Sequence, residues 1–179
     1  MAKAPTSYIA TAGTARTRTI DTLSFPYSAR PQAMTMYFRF MDFMGAPTRT
    51  TYIAFIGSGS GGTLTLYVAG GGATYGCGLG SATNSVGATV TRSVSVGNSV
   101  ELCVTVTAAG AVQLSVAVNG GTVTTGTASS GMTPPQTWAA NTLYLYEGNA
   151  YGPLGMRNIQ IVRGVHSLAT MRARMGLTP

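Results

Sequence analysis

NSVELCVTVTAAGAVQLSVAVNGG, residues 98–121, is the stretch whose reading decides the fold. Val100, Leu102, Val104 and Val106 alternate with Glu101, Cys103, Thr105 and Thr107, and after Ala108, Ala109 and Gly110 the alternation resumes with Val112, Leu114, Val116 and Val118. Successive side chains of a strand point to opposite faces, so two such runs around a short link predict a β-hairpin with one buried face. Burying each of those apolar side chains is worth about 1.5–3 kcal/mol, giving the hairpin roughly 10–20 kcal/mol as an upper bound before chain entropy is subtracted. A lone hairpin has nothing to bury that face against, so the stretch requires an opposing sheet.

The same period recurs outward from the hairpin. Val86–Val96, VGATVTRSVSV, alternates and leads into it through Gly97 and Asn98. In TLTLYVA, Leu64, Leu66 and Val68 face inward and Tyr67 outward, while TYIAFIG, Thr51–Gly57, is apolar on both faces as a central strand is. MTMYFRFMDF puts Met34, Met36, Phe38 and Phe40 on one face and Thr35, Tyr37, Arg39 and Met41 on the other. Downstream come a short TVTTG strand and a loop holding Trp138. NTLYLYEGN follows, with Leu143 and Leu145 opposite Tyr144 and Tyr146, and then MRNIQIVRG, with Ile159 and Ile161 inward. The one convincing helix has Ser167 as N-cap and Leu168, Met171 and Met175 at helical spacing, with Arg172 and Arg174 suited to the dipole of its last turn. About eleven short strands and one terminal helix predict an all-β fold, a two-sheet antiparallel jelly-roll sandwich over residues 22–179. Residues 1–21 show no sustained period and are read as an extended N-terminal arm, which when ordered implies a partner or groove to lie in.

Gly76, Gly78 and Gly80 form GCGLG, which opens no helix and so offers no amide cradle for a phosphate; bends and bulges at a sheet edge are the expectation. Among 179 residues only 8% are charged, which suits either a surface solvated by Thr, Ser and Asn or one covered by neighbours. Lys plus Arg number 11 against 4 Asp plus Glu, and all the basic residues but Lys3 are arginines, which suit contacts with carboxylates or phosphates. They are scattered, without the dense stripe and aromatic platforms of a nucleic-acid binder. The leading MAKAPTSY lacks the apolar region of a signal peptide, and no stretch reaches the roughly 18 apolar residues that cross a bilayer, so synthesis in a reducing cytoplasm is expected and no membrane partner. Cys77 and Cys103 are then read as small buried thiols.

Two stretches carry a family likeness. PTSYIATAGTARTRTIDTLSF, Pro5–Phe25, resembles the opening segment of concanavalin A-like (laminin G-like) domains of phage virion proteins, with its SYI-x-T-x-G-x-x-x-TR-x-x-D-x-L run. LYLYEGNAYGPLGMRNIQIVRGVHSLATMRARM, Leu143–Met175, resembles their closing section of strand, glycine loop, strand and short helix. The resemblance implies a sandwich that either binds glycans or builds a virion.

Enzymes of that fold, the laminarinase-like glucanases, use a pair of carboxylates emerging on one strand face. Here Asp21, Asp42, Glu101 and Glu147 each lack an acidic neighbour two or four positions away, and His166 is the sole histidine, at the junction of last strand and helix. No enzymatic activity and no cofactor are expected; Glu147, close to Asn149, is the weak candidate for a calcium ligand. The resulting expectation is a structural component of a phage virion, a capsid decoration, cement or head-fibre protein made in the host cytoplasm. It would be homo-oligomeric, with trimers natural by analogy, and would bind the major capsid or another virion protein through sheet surfaces and through Lys3, Tyr8, Arg16 and Arg18 of the arm. The alternative is a lectin-like module for host glycans, using Tyr37, Arg39, Tyr67, Tyr144 and Tyr146 as one outward aromatic floor; cross-strand packing of the same tyrosines is the plainer account.

Overall fold

The hairpin forms where the alternation puts it. Strands β7 (Ser99–Val106) and β8 (Val112–Val118) pair antiparallel with Val100 opposite Val118 and Val106 opposite Val112. Gly110 takes the positive φ of +81° that the connecting turn demands. The structure, a computed structural model, describes residues 21–24, 33–42, 50–56, 63–69, 71, 74–81, 84–126, 142–145 and 155–177.

Within these residues two antiparallel sheets form. The five-stranded sheet runs β11 (Gly155–Arg163), β2 (Met34–Met41), β7, β8, β9 (Thr124–Thr125). The six-stranded sheet runs β1 (Asp21–Ser24), β10 (Thr142–Leu145), β3 (Thr51–Ile56), β4 (Thr63–Val68), β5 (Thr74–Ser81), β6 (Asn84–Thr91). Met34, Met36, Phe38 and Phe40 join the apolar face of the hairpin in one core with Ile53, Leu64, Leu66, Val68, Tyr75, Cys77, Leu79 and Val90 of the other sheet. Ile159 and Ile161 pack against it as their alternation requires. This is the two-layer solution that lets each sheet bury one face.

Two expectations need correction. The alternation of Val86–Val96 does not stay strand: β6 ends at Thr91, and Val96 is 64% exposed. The chain is crossing between the sheets there, and the crossing is held by Asn98 Oδ1, which accepts the Ser95 N–H at 2.9 Å, and by the Asp42 carbonyl, which accepts the Gly97 N–H at 2.6 Å. The second correction concerns GCGLG, which is neither bent nor at an edge but lies in β5, between β4 and β6. Its glycines alternate with the buried Tyr75, Cys77 and Leu79, so they occupy the outer face of a regular interior strand.

Helix α1 (Leu168–Arg174) starts as expected, with Ser167 Oγ accepting the Thr170 N–H at 3.1 Å. It ends where Gly176 turns to φ +67° and the Leu177 N–H reaches back to the Arg172 carbonyl at 3.0 Å. No helix among the described residues is long and apolar enough to cross a membrane.

Candidate functional site

Each sheet has an outer face, and α1 makes the two faces different. It lies on the five-stranded sheet, where Leu168 and Met171 pack with Tyr37, Cys103 and Ala117, flanked by Val162 and Met175. Leu168, Met171, Arg172 and Met175 stand at i, i+3, i+4 and i+7, so the apolar stripe of the helix includes one arginine. Arg172 is accordingly 4% exposed and meets Glu101, itself 3% exposed on the outer side of β7. Arg172 Nε donates to Glu101 Oε2 at 2.7 Å, and the Tyr37 hydroxyl donates to Oε1 at 3.1 Å. Burial beside that carboxylate pushes the Tyr37 hydroxyl well above the usual phenol range. Arg172 thus serves a buried ion pair beyond any interaction with the helix dipole.

Tyr37 is therefore no part of an open aromatic floor. It is wholly covered, because the outward side of β2 is the side on which α1 docks. Arg39, two residues on and beyond the helix, stays half-exposed, with Nε 3.2 Å from Ser99 Oγ and 3.9 Å from Glu101 Oε1. Tyr67 belongs to the other sheet, as does the backbone of Tyr144 in β10. The row Tyr37, Arg39, Tyr67, Tyr144 is thus split between the two sheets of the sandwich, since one period-two pattern looks alike on either sheet.

The outer face of the six-stranded sheet is different in kind. Strands β3, β4, β5, β6 and β10 contain no charged residue. The register aligns Tyr144, Phe55, Thr65, Gly78 and Gly87 in one cross-strand row and Tyr52, Tyr67, Gly76 and Thr89 in the next. The phenol end of Tyr67 lies over Gly76, so that a Cβ on Gly76 would overlap the ring. Thr65 Oγ1 donates to the Gly78 carbonyl at 3.3 Å. Tyr67 thus borders a track, Gly78 and Gly87, that carries no side chain. The signal in the sequence was the alternation of glycine with Tyr75, Cys77 and Leu79, which marks a strand with one side-chain-free face.

Of the other candidates, Lys3, Tyr8, Arg16, Arg18, Tyr146 and Glu147 lie outside the described residues, as does Trp138. No group of three or more His, Cys, Asp or Glu suited to a metal occurs among the described residues. The His166 N–H donates to Thr35 Oγ1 at 2.8 Å, and its Nε2 lies 2.8 Å from the Arg163 carbonyl, contacts that hold the turn into α1. Cys77 and Cys103 are free, buried thiols, and burial pushes each from 9.0 up to about 12. An acid held protonated in the fold adds stability that is complete below the unfolded pKa and disappears as pH rises through the folded one. Stability measured by urea titration is therefore expected to hold up to about pH 8 and to decline between about pH 9 and 12, and a flat profile across that window would contradict the thiol burial.

No family model matches the sequence, and no curated protein matches it. Solved structures do match the fold. The botulinum neurotoxin serotype D binding domain has a TM-score of 0.62 at 12% identity, over 84% of this chain and 37% of that one. The LG1-3 region of the laminin alpha2 chain has 0.59 at 10%, over 79% and 30%. The enzymatically active domain of bacteriophage CBA120 tailspike protein 2 has 0.56 at 13%, over 81% and 24%. The chain spans little more than a third of these neighbours, or less. At such identities the likeness is one of fold: the concanavalin A/laminin G-like jelly-roll sandwich that the sequence led us to expect.

Proposed function

We propose that the chain is a non-catalytic carbohydrate-binding module whose glycan surface is the outer face of the six-stranded sheet. The observation that carries this reading is Tyr67 lying over Gly76 on a face whose strands β3–β6 hold no charge. A sugar ring offers an apolar C–H face and a rim of hydroxyls; a tyrosine ring suits the first, and threonine hydroxyls and strand backbone suit the second. Cell entry of botulinum neurotoxin type C, a solved structure of which matches this fold, is dependent upon interaction with two ganglioside molecules, which supports the class of ligand. Catalysis is a poorer reading, because Asp42 and Glu101 are each only 3% exposed and Glu101 is held by Arg172 and Tyr37.

Tyr67→Ala is expected to weaken glycan binding about tenfold, the loss of one stacking contact of about 1–1.5 kcal/mol, with the far-ultraviolet circular dichroism unchanged. Gly76→Val, which displaces the ring without removing it, is expected to do the same. A glycan array silent at high protein concentration, or a Tyr67→Ala protein that binds like its parent, would overturn the reading.

The likeness of Pro5–Phe25 to phage virion domains and the tailspike's shared fold support a location for this module: a phage particle, as a capsid decoration or head-fibre subunit anchored through its first residues. Removing residues 1–20 is then expected to abolish incorporation into particles while the sandwich still folds. Normal uptake of the truncated chain would count decisively against that location.

A further inference from the structure

We propose that the open half of the other outer face, beside α1 on the five-stranded sheet, is a separate site for a saccharide bearing a carboxylate or sulfate group, held by Arg39 and Arg157. The choice of a saccharide rests on the reading of the chain as a glycan binder; the anion preference rests on geometry of its own.

Arg39 and Met41 alternate on the outer side of β2. Opposite them β11 carries a bulge: Met156 pairs with Phe40 and Asn158 with Arg39, leaving Arg157 as the extra residue. A bulge re-aims a side chain, and here Arg157 and Asn158 are both exposed, with Arg157 Nη2 lying 2.8 Å from Met41 Sδ. Two guanidinium groups therefore flank one short strip of β2, with Ser99 and Asn158 between and beside them as neutral hydrogen-bonding groups.

Among the described residues the charge on this face is not balanced from within. Glu101 gives Oε2 to Arg172 and Oε1 to Tyr37, and Arg39 stands 3.9 Å from it, beyond hydrogen-bond distance. Arg157 reaches a thioether, a weak and uncharged acceptor. Asp42, next to Met41, is 3% exposed; burial first, and then the charge of Asp42, raise the Tyr75 hydroxyl in the core. Among the described residues, Arg172 and Arg39 face the carboxylate of Glu101 and Arg157 faces the Met41 thioether, and the two cations nearer solvent, Arg39 and Arg157, retain their pull on an oxyanion, which a planar guanidinium binds in a forked geometry. Two cations set among a hydroxyl and an amide suit a sugar with one anionic group among neutral hydroxyls. A polyphosphate backbone would call for a longer track of cations. A second copy offers few carboxylates, with 4 in the whole chain and two of them buried.

The test is a titration of the full chain followed through the arginine Nε–Hε signals, using glucuronate, glucose 6-sulfate, glucose, acetate and a short poly-glutamate peptide as probes. Saturable shifts confined to Arg39 and Arg157 are expected with both acidic sugars and none with glucose, and R39Q/R157Q should weaken acidic-sugar binding at least about tenfold. Both side chains are partly or fully exposed, so this double variant should fold like its parent. Equal shifts with glucose, unchanged binding by the double variant, or acetate binding as tightly as glucuronate would overturn the proposal; tighter binding of poly-glutamate would overturn it in favour of an acidic protein surface. Tyr67→Ala should leave acidic-sugar shifts at Arg39 and Arg157 intact, so failure of the neutral-glycan surface and failure of this site are read separately.

Discussion

Glu101→Ala is expected to lower the free energy of unfolding by about 3–5 kcal/mol, because it leaves a buried guanidinium without its counter-charge. Arg172 is 4% exposed and reaches Glu101 Oε2 through Nε at 2.7 Å and Nη2 at 2.5 Å, and Nη2 also lies 3.4 Å from the Gly121 carbonyl. The lost carboxylate also strands the Tyr37 hydroxyl, a second buried donor. Neither group reaches water unless α1 lifts from the sheet, and lifting it uncovers Cys103, which packs beneath Leu168 and Met171. Urea denaturation gives the magnitude, and the rate of Cys103 modification by a thiol reagent under native conditions gives the mechanism: the variant should react faster at Cys103 while Cys77, in the main core, stays protected. A loss under about 1 kcal/mol would mean that the pair is solvated and only decorates the helix. Replacing all three groups together, Glu101→Leu with Arg172→Met and Tyr37→Phe, should recover most of the stability, since a buried pair exchanged for apolar volume is close to neutral and no buried donor is left stranded.

Phe38→Ala is expected to cost about 3–5 kcal/mol through the cavity it leaves. Phe38 is fully buried at mid-strand in β2, opposite Leu102 on one side and Ile159 on the other, so the backbone on both flanks is held by ladder hydrogen bonds and is slow to collapse into the void. Val96→Ala, at a residue 64% exposed, removes a comparable kind of atom from solvent and should fall within about 0.5 kcal/mol of zero. The two variants measured side by side by chemical denaturation separate burial from hydrophobicity. A Phe38→Ala loss no larger than that of Val96→Ala would mean that the two sheets do not close a solid core around the ring.

Much of the architecture was legible because its causes are local. The hairpin of β7 and β8, the inward sets of β2, β4 and β11, and the Ser167 cap all follow from period-two or period-3.6 spacing and from a hydroxyl placed before an apolar helix. Local spacing also misled. Val94 and Val96 keep the beat of a strand past Thr91, where the chain has already left the sheet for the turn at Asn98. Glycines at every second position looked like bends, although Tyr75, Cys77 and Leu79 between them keep β5 in the middle of its sheet. A stronger hint lies in α1, where Arg172 occupies the i+4 place of an otherwise apolar stripe and so announces a buried anion.

What the chain's order of residues determined by itself is the two-faced character of each strand and the position of the helix cap, for these depend on neighbours a few residues away. Which outer face the helix covers was decided only in three dimensions. Tyr37 and Tyr67 read alike in sequence, yet one lies sealed over Glu101 beneath α1 and the other lies across Gly76 on strands that hold no charge. Alternation states that a side chain points away from the core but carries no information about what crosses over it, and that depends on residues such as 37, 101 and 172 meeting across the whole length of the chain.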